Sequence, residues 1–240
     1  MRYNFWDGWK NKNSIEKKAI ESVKLARELI VNSIPKGKLV SIYIKGSFVR
    51  REMKIGSDID IVPIVTENKY EGKVFSVNGP KISPAMVVPL SLWELKNNKL
   101  FTKGSHNPDL RAKPDRLLSH IKECRLIYGK SLNPKKFKIR DNIAALKDEI
   151  EVVRKGYIKE YKKRKIKFSP LLKEVFWLIE LEQKVKGKKV EHSFDGISKS
   201  VNDKNHIIHE ALKFRKGKLK EKRDEMLFIK KLENHLAELS

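Results

Sequence analysis

Between residues 14 and 34 apolar side chains recur with helical spacing. Ile15, Ala19, Ile20, Val23, Leu25 and Ile30 supply most of one side, and Asn13-x-x-Glu16 ahead of them has the form of a capping box. The predicted helix should end before Pro35-Lys36-Gly37. The period then changes. Residues 39–44 (LVSIYI) and 59–65 (IDIVPIV) are β-branched runs of the length of buried strands. Residues 73–89 read as a hairpin, with strands at 74–77 and 85–88 around a turn at Asn78-Gly79. Ser91-x-x-Glu94 opens a short helix, and 114–127 has helical spacing that stops at Tyr128-Gly129.

Beyond Pro134 no strand signal recurs. The helical candidates are 141–165, 169–187, 201–214 and 218–239, the second starting at Ser169-Pro170 with a capping hydroxyl and a proline in the first turn. The pattern therefore predicts an α+β (α/β) domain with a mixed sheet over residues 1–134, followed by an all-α helical bundle over 135–240. Neither a repeat nor a low-complexity linker interrupts it.

Composition narrows the setting. Hydrophobic residues make up 40% and charged residues 35%, enough for a core and too much charge for a membrane protein. The amino-terminal MRYNFWDGWKNKN has no apolar leader, and the sole cysteine, Cys124, has no internal partner, so a reducing cytoplasmic location is expected. The net charge is +24, divided equally as +12 over residues 1–130 and +12 over 131–240. A charge spread in this way favours polyanions in general, nucleotides included, without singling out nucleic acid. Basic clusters at 162–167, 184–189 and 213–220 lie near predicted helix ends, where cations offset the helix dipole. The alternative is a positive surface that holds a triphosphate or RNA.

The segment with candidate chemistry is VSIYIKGSFVRREMKIGSDIDIVPIV, residues 40–65. A strand ends in Gly46-Ser47, and ten residues later Asp58-Ile59-Asp60 enters a second strand. Side chains alternate across a strand, so Asp58 and Asp60 should share one face while Ile59 and Ile61 enter the core. Two carboxylates so placed suit a hard divalent cation, Mg2+ or Mn2+, that is shared with substrate phosphates. Glycine lets the backbone approach a triphosphate, and the Ser47 hydroxyl and nearby amides can donate to its oxygens. The chain contains a control in Gly104-Ser105, which has no Asp-x-Asp at the matching distance.

This segment resembles the signature of DNA polymerase β-like nucleotidyltransferases: Gly-Ser, about ten residues, then Asp-x-Asp. Gly46, Ser47, Arg50, Glu52, Ser57, Asp58, Ile59 and Asp60 match the extended form found in minimal nucleotidyltransferases, and Arg51 stands where that family favours glycine. The helical second half resembles, in architecture, the domain that follows the catalytic domain in aminoglycoside nucleotidyltransferases. The resemblance implies Asp58 and Asp60 as catalytic metal ligands and Gly46, Ser47, Arg50 and Ser57 as phosphate contacts. It implies an NTP substrate, ATP first among them, and an acceptor hydroxyl on a small molecule, a protein or an RNA.

Two-metal chemistry also calls for a third acid on an adjacent strand. By the resemblance it would fall at about Ala85 or Met86, neither of which binds magnesium. Three explanations stand. Glu71, Glu174 or Glu180 completes the site, one metal suffices, or the protein binds nucleotide without turning it over and acts as a nucleotide- or RNA-binding regulator. Elsewhere, His206-x-x-His209-Glu210 shares a helical face but lacks the zinc-protease order, and is expected to be structural. Phe176, Trp177 and Leu178 are expected in the helical core or at its contact with the first domain. Trp6 and Trp9 are expected to cover an exposed edge of the α/β domain.

Overall fold

The structure is a computed structural model that describes residues 4–101, 110–219 and 221–239. Gly104-Ser105 and His106 lie outside the described residues. The chain forms two compact units, Met1–Ser105 with Arg111–Ile139, and His106–Leu110 with Arg140–Ser240.

Helix α1 (Ser14–Ser33) starts with the predicted capping box: the Glu16 amide donates to Asn13 Oδ1 at 2.8 Å, and the Asn13 amide donates to Glu16 Oε2 at 3.0 Å. It stops at Ile34, whose extended backbone is what a following proline demands. Strands β1 (Leu39–Lys45) and β2 (Ile59–Val65) pair antiparallel. Strand β5 (Arg125–Gly129) extends the sheet beyond β1, and β3 (Ala85–Val87) and β4 (Leu90–Ser91) run parallel to β2. The resulting mixed sheet has the order β3-β2-β1-β5.

Alternation divides the sheet's side chains between two cores. Ile42, Ile44, Ile59, Ile61, Val87 and Ile127 join the buried side of α1 in one. Tyr43, Val62 and Ile64 lie on the opposite face with Leu90, Leu95, Leu117, Leu118 and Cys124 in the other. Helices α4 (Leu92–Asn97) and α5 (Asp115–Ser119) supply part of that second core. The Ser91/Glu94 capping box is present at α4 as the sequence predicts.

Burial in this core pushes the Cys124 thiol from its ordinary value near 9 up to about 11, with Lys45 opposing the shift. A raised acid pKa favours the neutral thiol in the folded state. Its contribution is therefore present below pH 9 and is lost as pH rises toward 11. Wild type should lose on the order of 2 kcal/mol more unfolding free energy across that window than Cys124→Ala, which has no thiol to ionise. Urea titrations of both proteins at each end of the window measure this, and parallel pH curves would contradict the burial effect.

Two elements of this first unit differ from the pattern. Residues 73–89 are not a hairpin: α3 (Glu71–Phe75) and a 3-10 turn over Pro80–Ile82 replace the first strand. The outer side of β3 is met instead by one side chain. The Asn78 amide nitrogen donates to the Val87 carbonyl at 2.9 Å, and its oxygen accepts from the Val87 amide at 2.8 Å, supplying both bonds a strand would make. Residues 114–127 also fail to form one helix, because Arg125–Gly129 is drawn into the sheet beside β1. Gly129, at φ +76°, is required there: a Cβ would sit 2.1 Å from the Val40 carbonyl oxygen.

The second unit is helical. Helix α6 (Asn142–Glu151), capped by Asp141, widens into a π-helical stretch over Val152–Ile158 and continues as α7 (Lys159–Lys162). Within that stretch Gly156 packs against Leu110, where a Cβ would lie 2.9 Å from Leu110 Cδ2, and the Tyr157 hydroxyl donates to the Leu110 carbonyl at 2.8 Å. Helix α8 (Phe168–Val185) begins one residue ahead of the predicted Ser169 start. The predicted 201–214 helix is replaced by α9 (Phe194–Lys199) and α10 (Ile207–Arg215), and α11 (Lys222–Glu238) closes the unit. Phe176, Leu178, Ile208, Phe228 and Leu232 lie in its core, with Trp177 partly buried against it. Trp177 stacks on His192 at 4.5 Å between ring centroids.

Candidate active site

Strand β1 ends in a sharp corner. Gly46 has φ +87° and ψ −157°, a conformation open to glycine and strained for other residues, and the chain turns there into the single-turn helix α2 (Ser47–Arg50). So short a helix has little stability of its own. It is anchored by Phe48, which is fully buried among Phe5, Trp6 and Trp9 with ring centroids 5.2 to 6.1 Å away. Trp6 is 1% exposed within the α1-side core. Trp6 and Trp9 thus help to seat the Gly-Ser corner.

The corner meets Asp60. A Cβ placed on Gly46 would be 3.7 Å from Asp60 Oδ2, so that backbone and that carboxylate line the same recess. Asp60 lies half-buried in β2 between buried Ile59 and Ile61, and faces away from the α1-side core that those isoleucines enter. Asp58 is exposed and stands one residue ahead of the strand. Among the described residues, the side chains of Asp58, Asp60 and Ser47 make no hydrogen bond or ion pair. Carboxylates without protein partners suit an oxygen-seeking cation or a ligand's donors.

The register identifies the neighbours of Asp60. Lys45, the last residue of β1, is its antiparallel partner, and Met86 is its parallel partner on β3. Cross-strand partners share a face, so Met86, Asp60 and Lys45 form one row beyond the apolar cover of the second core. Met86 is 45% exposed. Sequence reasoning missed Lys45, although its place immediately before Gly46 was a usable signal once the two strands were paired.

The other predicted contacts have local partners. The Arg50 guanidinium pairs with Glu52 at 2.7 Å. The Ser57 hydroxyl accepts the Lys54 amide at 3.0 Å, closing the turn that leads to Asp58. Arg51, where glycine was favoured by resemblance, adopts a left-handed conformation at φ +59° as the residue that ends α2. That conformation explains the preference for glycine and costs a residue with a Cβ on the order of 1 kcal/mol. Here the arginine is held by Glu16 at 2.7 and 3.0 Å, by the Lys10 carbonyl at 3.1 Å, and by stacking 5.0 Å from the Trp9 ring centroid. The Arg51 bond, helped by the Asn13 amide, outweighs burial and holds Glu16 below the usual carboxylate range. The short helix thus keeps its form and is tied to the cap of α1.

Of the acids considered for the third position, Glu71 shares a unit with Asp60, and Glu174 and Glu180 belong to the helical unit. Glu71 is buried beside Tyr70 and Val74, which belong to the core on the opposite side of the sheet. Glu180 is engaged inside the helical unit by His192 at 2.7 Å and Lys184 at 2.5 Å. Burial pushes its carboxyl up, but those two partners outweigh it and hold it at about 2. Glu174 is buried in the same helix.

The basic clusters are partly neutralised where they stand. Lys162 pairs with Glu233 at 2.5 Å, Lys163 and Lys165 with Glu160 at 4.0 and 3.8 Å, and Lys216 with Asp195 at 2.6 Å. Lys186 pairs with Glu182. Such pairs belong to a solvated surface. No helix among the described residues is long and apolar enough to cross a membrane. His206-x-x-His209-Glu210 does not converge on one centre: His209 Nδ1 meets Ser198 Oγ at 3.1 Å, and Glu210 pairs with Lys231 at 2.6 Å.

No family model and no curated protein matches the chain. Among solved structures, it is similar to spectinomycin adenyltransferase AAD(9) from Enterococcus faecialis, solved with ATP and spectinomycin. The likeness has 17% identity and a TM-score of 0.54, and covers 90% of this chain and 98% of that one. A toxin-antitoxin solved with AMP-PNP matches at 18% identity over 61% of this chain and 98% of that one, with a TM-score of 0.29, too low to carry any argument. The fold is therefore the one seen in that adenyltransferase, here an α+β unit with a mixed sheet and a helical second part.

Proposed function

We propose that this chain is a metal-dependent nucleotidyltransferase that moves a nucleoside monophosphate from an NTP, ATP first among them, to an acceptor hydroxyl. The observation that carries the reading is the 3.7 Å approach of the Gly46 corner to the Asp60 carboxylate, on a fold shared with an adenyltransferase solved with ATP. Asp58 and Asp60, two carboxylates without protein partners, fit Mg2+ or Mn2+ as a donor set. Bound there, the cation would offset charge on the phosphates and polarise the α-phosphorus.

The chain's own residues bind and position. Backbone amides at the corner and the Ser47 hydroxyl donate to phosphate oxygens, and Lys45, beside Asp60, adds a positive charge to the same row. In this reading Arg50 and Ser57 are further phosphate contacts, released from Glu52 and from the Lys54 amide to reach the ligand. In the reaction the acceptor oxygen forms a bond to the α-phosphorus, the bond to the β-phosphate bridging oxygen breaks, and pyrophosphate leaves. The acceptor's proton has no carboxylate on β3 to receive it, because Met86 stands beside Asp60, and it passes to solvent water instead. Rate must therefore come from alignment and charge neutralisation.

Met86 also favours a second reading, a degenerate site that binds nucleotide as part of a regulator. Calorimetric titration with each NTP, with and without magnesium, followed by a transfer assay with α-labelled nucleotide, separates the two. The acceptor panel includes an aminocyclitol, RNA and protein. Magnesium-dependent binding and label transfer are expected, and Met86→Glu should raise transfer on the order of 100-fold by restoring a proton acceptor. Binding by the wild type with no transfer to any acceptor would favour the regulator. No magnesium-dependent binding would end both readings.

A further inference from the structure

Three side chains far apart in sequence converge inside the helical unit. Glu182 on α8, His206 at the start of α10 and His235 on α11 each bring one ligand-type atom to a common point, all within 4.8 Å of one another. Glu182 Oε2 is 3.0 Å from His235 Nε2 and 3.7 Å from His206 Nε2. The side chains are 3%, 12% and 15% exposed in the order Glu182, His206, His235. His206 Nε2 is buried and, among the described residues, has no hydrogen-bond partner. The two imidazole rings meet edge-on, with centroids 4.9 Å apart and planes at 85°, so neither stacks over the other's nitrogen.

We infer that Glu182, His206 and His235 form a zinc site that pins α8, the start of α10 and α11 together. Two imidazoles and one carboxylate are a recurrent zinc donor set, and imidazole selects against magnesium and calcium. Tetrahedral zinc with bonds near 2.0 to 2.1 Å places its ligand atoms about 3.3 Å apart, a spacing that the observed 3.0 and 3.7 Å bracket. With three protein donors, water would supply the fourth tetrahedral ligand. Lys186 holds the other Glu182 oxygen, Oε1, which leaves Oε2 as the coordinating atom and fixes the carboxylate's orientation.

Binding has a defined cost at His206. Its Nδ1 accepts the Ile208 amide at 3.2 Å as the cap of α10, so the proton of the neutral ring sits on Nε2. Zinc at Nε2 moves that proton to Nδ1 and gives up one backbone hydrogen bond. In return it satisfies the buried nitrogen and replaces a carboxylate–imidazole contact with coordinate bonds. The site belongs to the helical unit and Asp58 and Asp60 to the other, and it does not depend on the activity proposed for them.

The test uses the full chain, stripped with EDTA and titrated with Zn2+, with Co2+ as a spectroscopic stand-in. One zinc per chain should survive gel filtration, the thermal midpoint should rise with zinc and fall again with EDTA, and the cobalt form should show tetrahedral visible bands. His206→Asn keeps a side-chain oxygen to cap α10 while removing the ligand, so it should fold and bind zinc more than about 100-fold more weakly. His235→Gln provides a second variant if the first does not fold. Asp58→Asn/Asp60→Asn should bind zinc as the wild type does. A wild-type midpoint that ignores zinc, or variants at 206 and 235 that bind zinc like the wild type, would overturn the assignment and leave two imidazoles serving a buried carboxylate.

Discussion

Replacing Asp60 with Asn should weaken magnesium-dependent nucleotide binding on the order of 100-fold, equivalent to about 2.7 kcal/mol, while leaving the protein folded. The substitution removes one negative charge and one anionic oxygen ligand at the recess shared with Gly46, and changes the side chain's size very little. Magnesium gains little from a neutral amide, so the loss should appear in the magnesium-dependent part of the affinity and not in any residual binding without metal. Stability should change little, because Asp60 makes no hydrogen bond or ion pair among the described residues and is only half-buried. Asp58→Asn should act in the same direction. Titrations of both variants with and without magnesium, beside thermal melts, make the comparison; an Asp60→Asn protein that binds as tightly as the wild type in magnesium would remove the site assignment.

Phe48→Ala should cost roughly 3 to 5 kcal/mol of stability and also damage the recess. Phe48 is fully buried and its ring meets Phe5, Trp6 and Trp9. A methyl in its place leaves a cavity walled by large rigid rings that do not collapse easily. The same side chain is the buried anchor of α2, whose single turn follows the Gly46 corner. Its removal should therefore loosen Ser47 and weaken nucleotide binding even in molecules that remain folded. Phe48→Leu should recover much of both losses. Urea unfolding measures the stability effect, and nucleotide titration under native conditions measures the other. A stability loss with unchanged nucleotide affinity would show that the corner holds its shape without this anchor.

How far the sequence reaches differs from element to element. The cap of α1, both long strands and the opening of α4 were legible because each is a local event: a side chain three residues from the amide it caps, or a run whose branching favours extended backbone. The span 73–89 was misread for the same reason. Local alternation there resembled a hairpin, whereas β3 runs parallel to β2 and takes its outer hydrogen bonds from Asn78. The region around Ile127 has spacing that suits a helix, and only a place beside β1 makes it a strand. At the candidate site, Gly46, Ser47, Asp58 and Asp60 were readable as types at a spacing. The neighbours Lys45 and Met86 gain meaning only when β1 and β3 are laid against β2.

The chain by itself therefore determined its two-part organisation, the strand that carries Asp60 and the glycine corner near it, since these follow from period, branching and backbone permissiveness within a few residues. Tertiary structure alone decided that Arg51 is held in a left-handed turn by Glu16, that Phe48 is seated by three aromatic rings, and that Glu182, His206 and His235 meet. Each of those depends on segments brought together by burial of apolar surface. That force is non-directional and leaves little trace in local spacing.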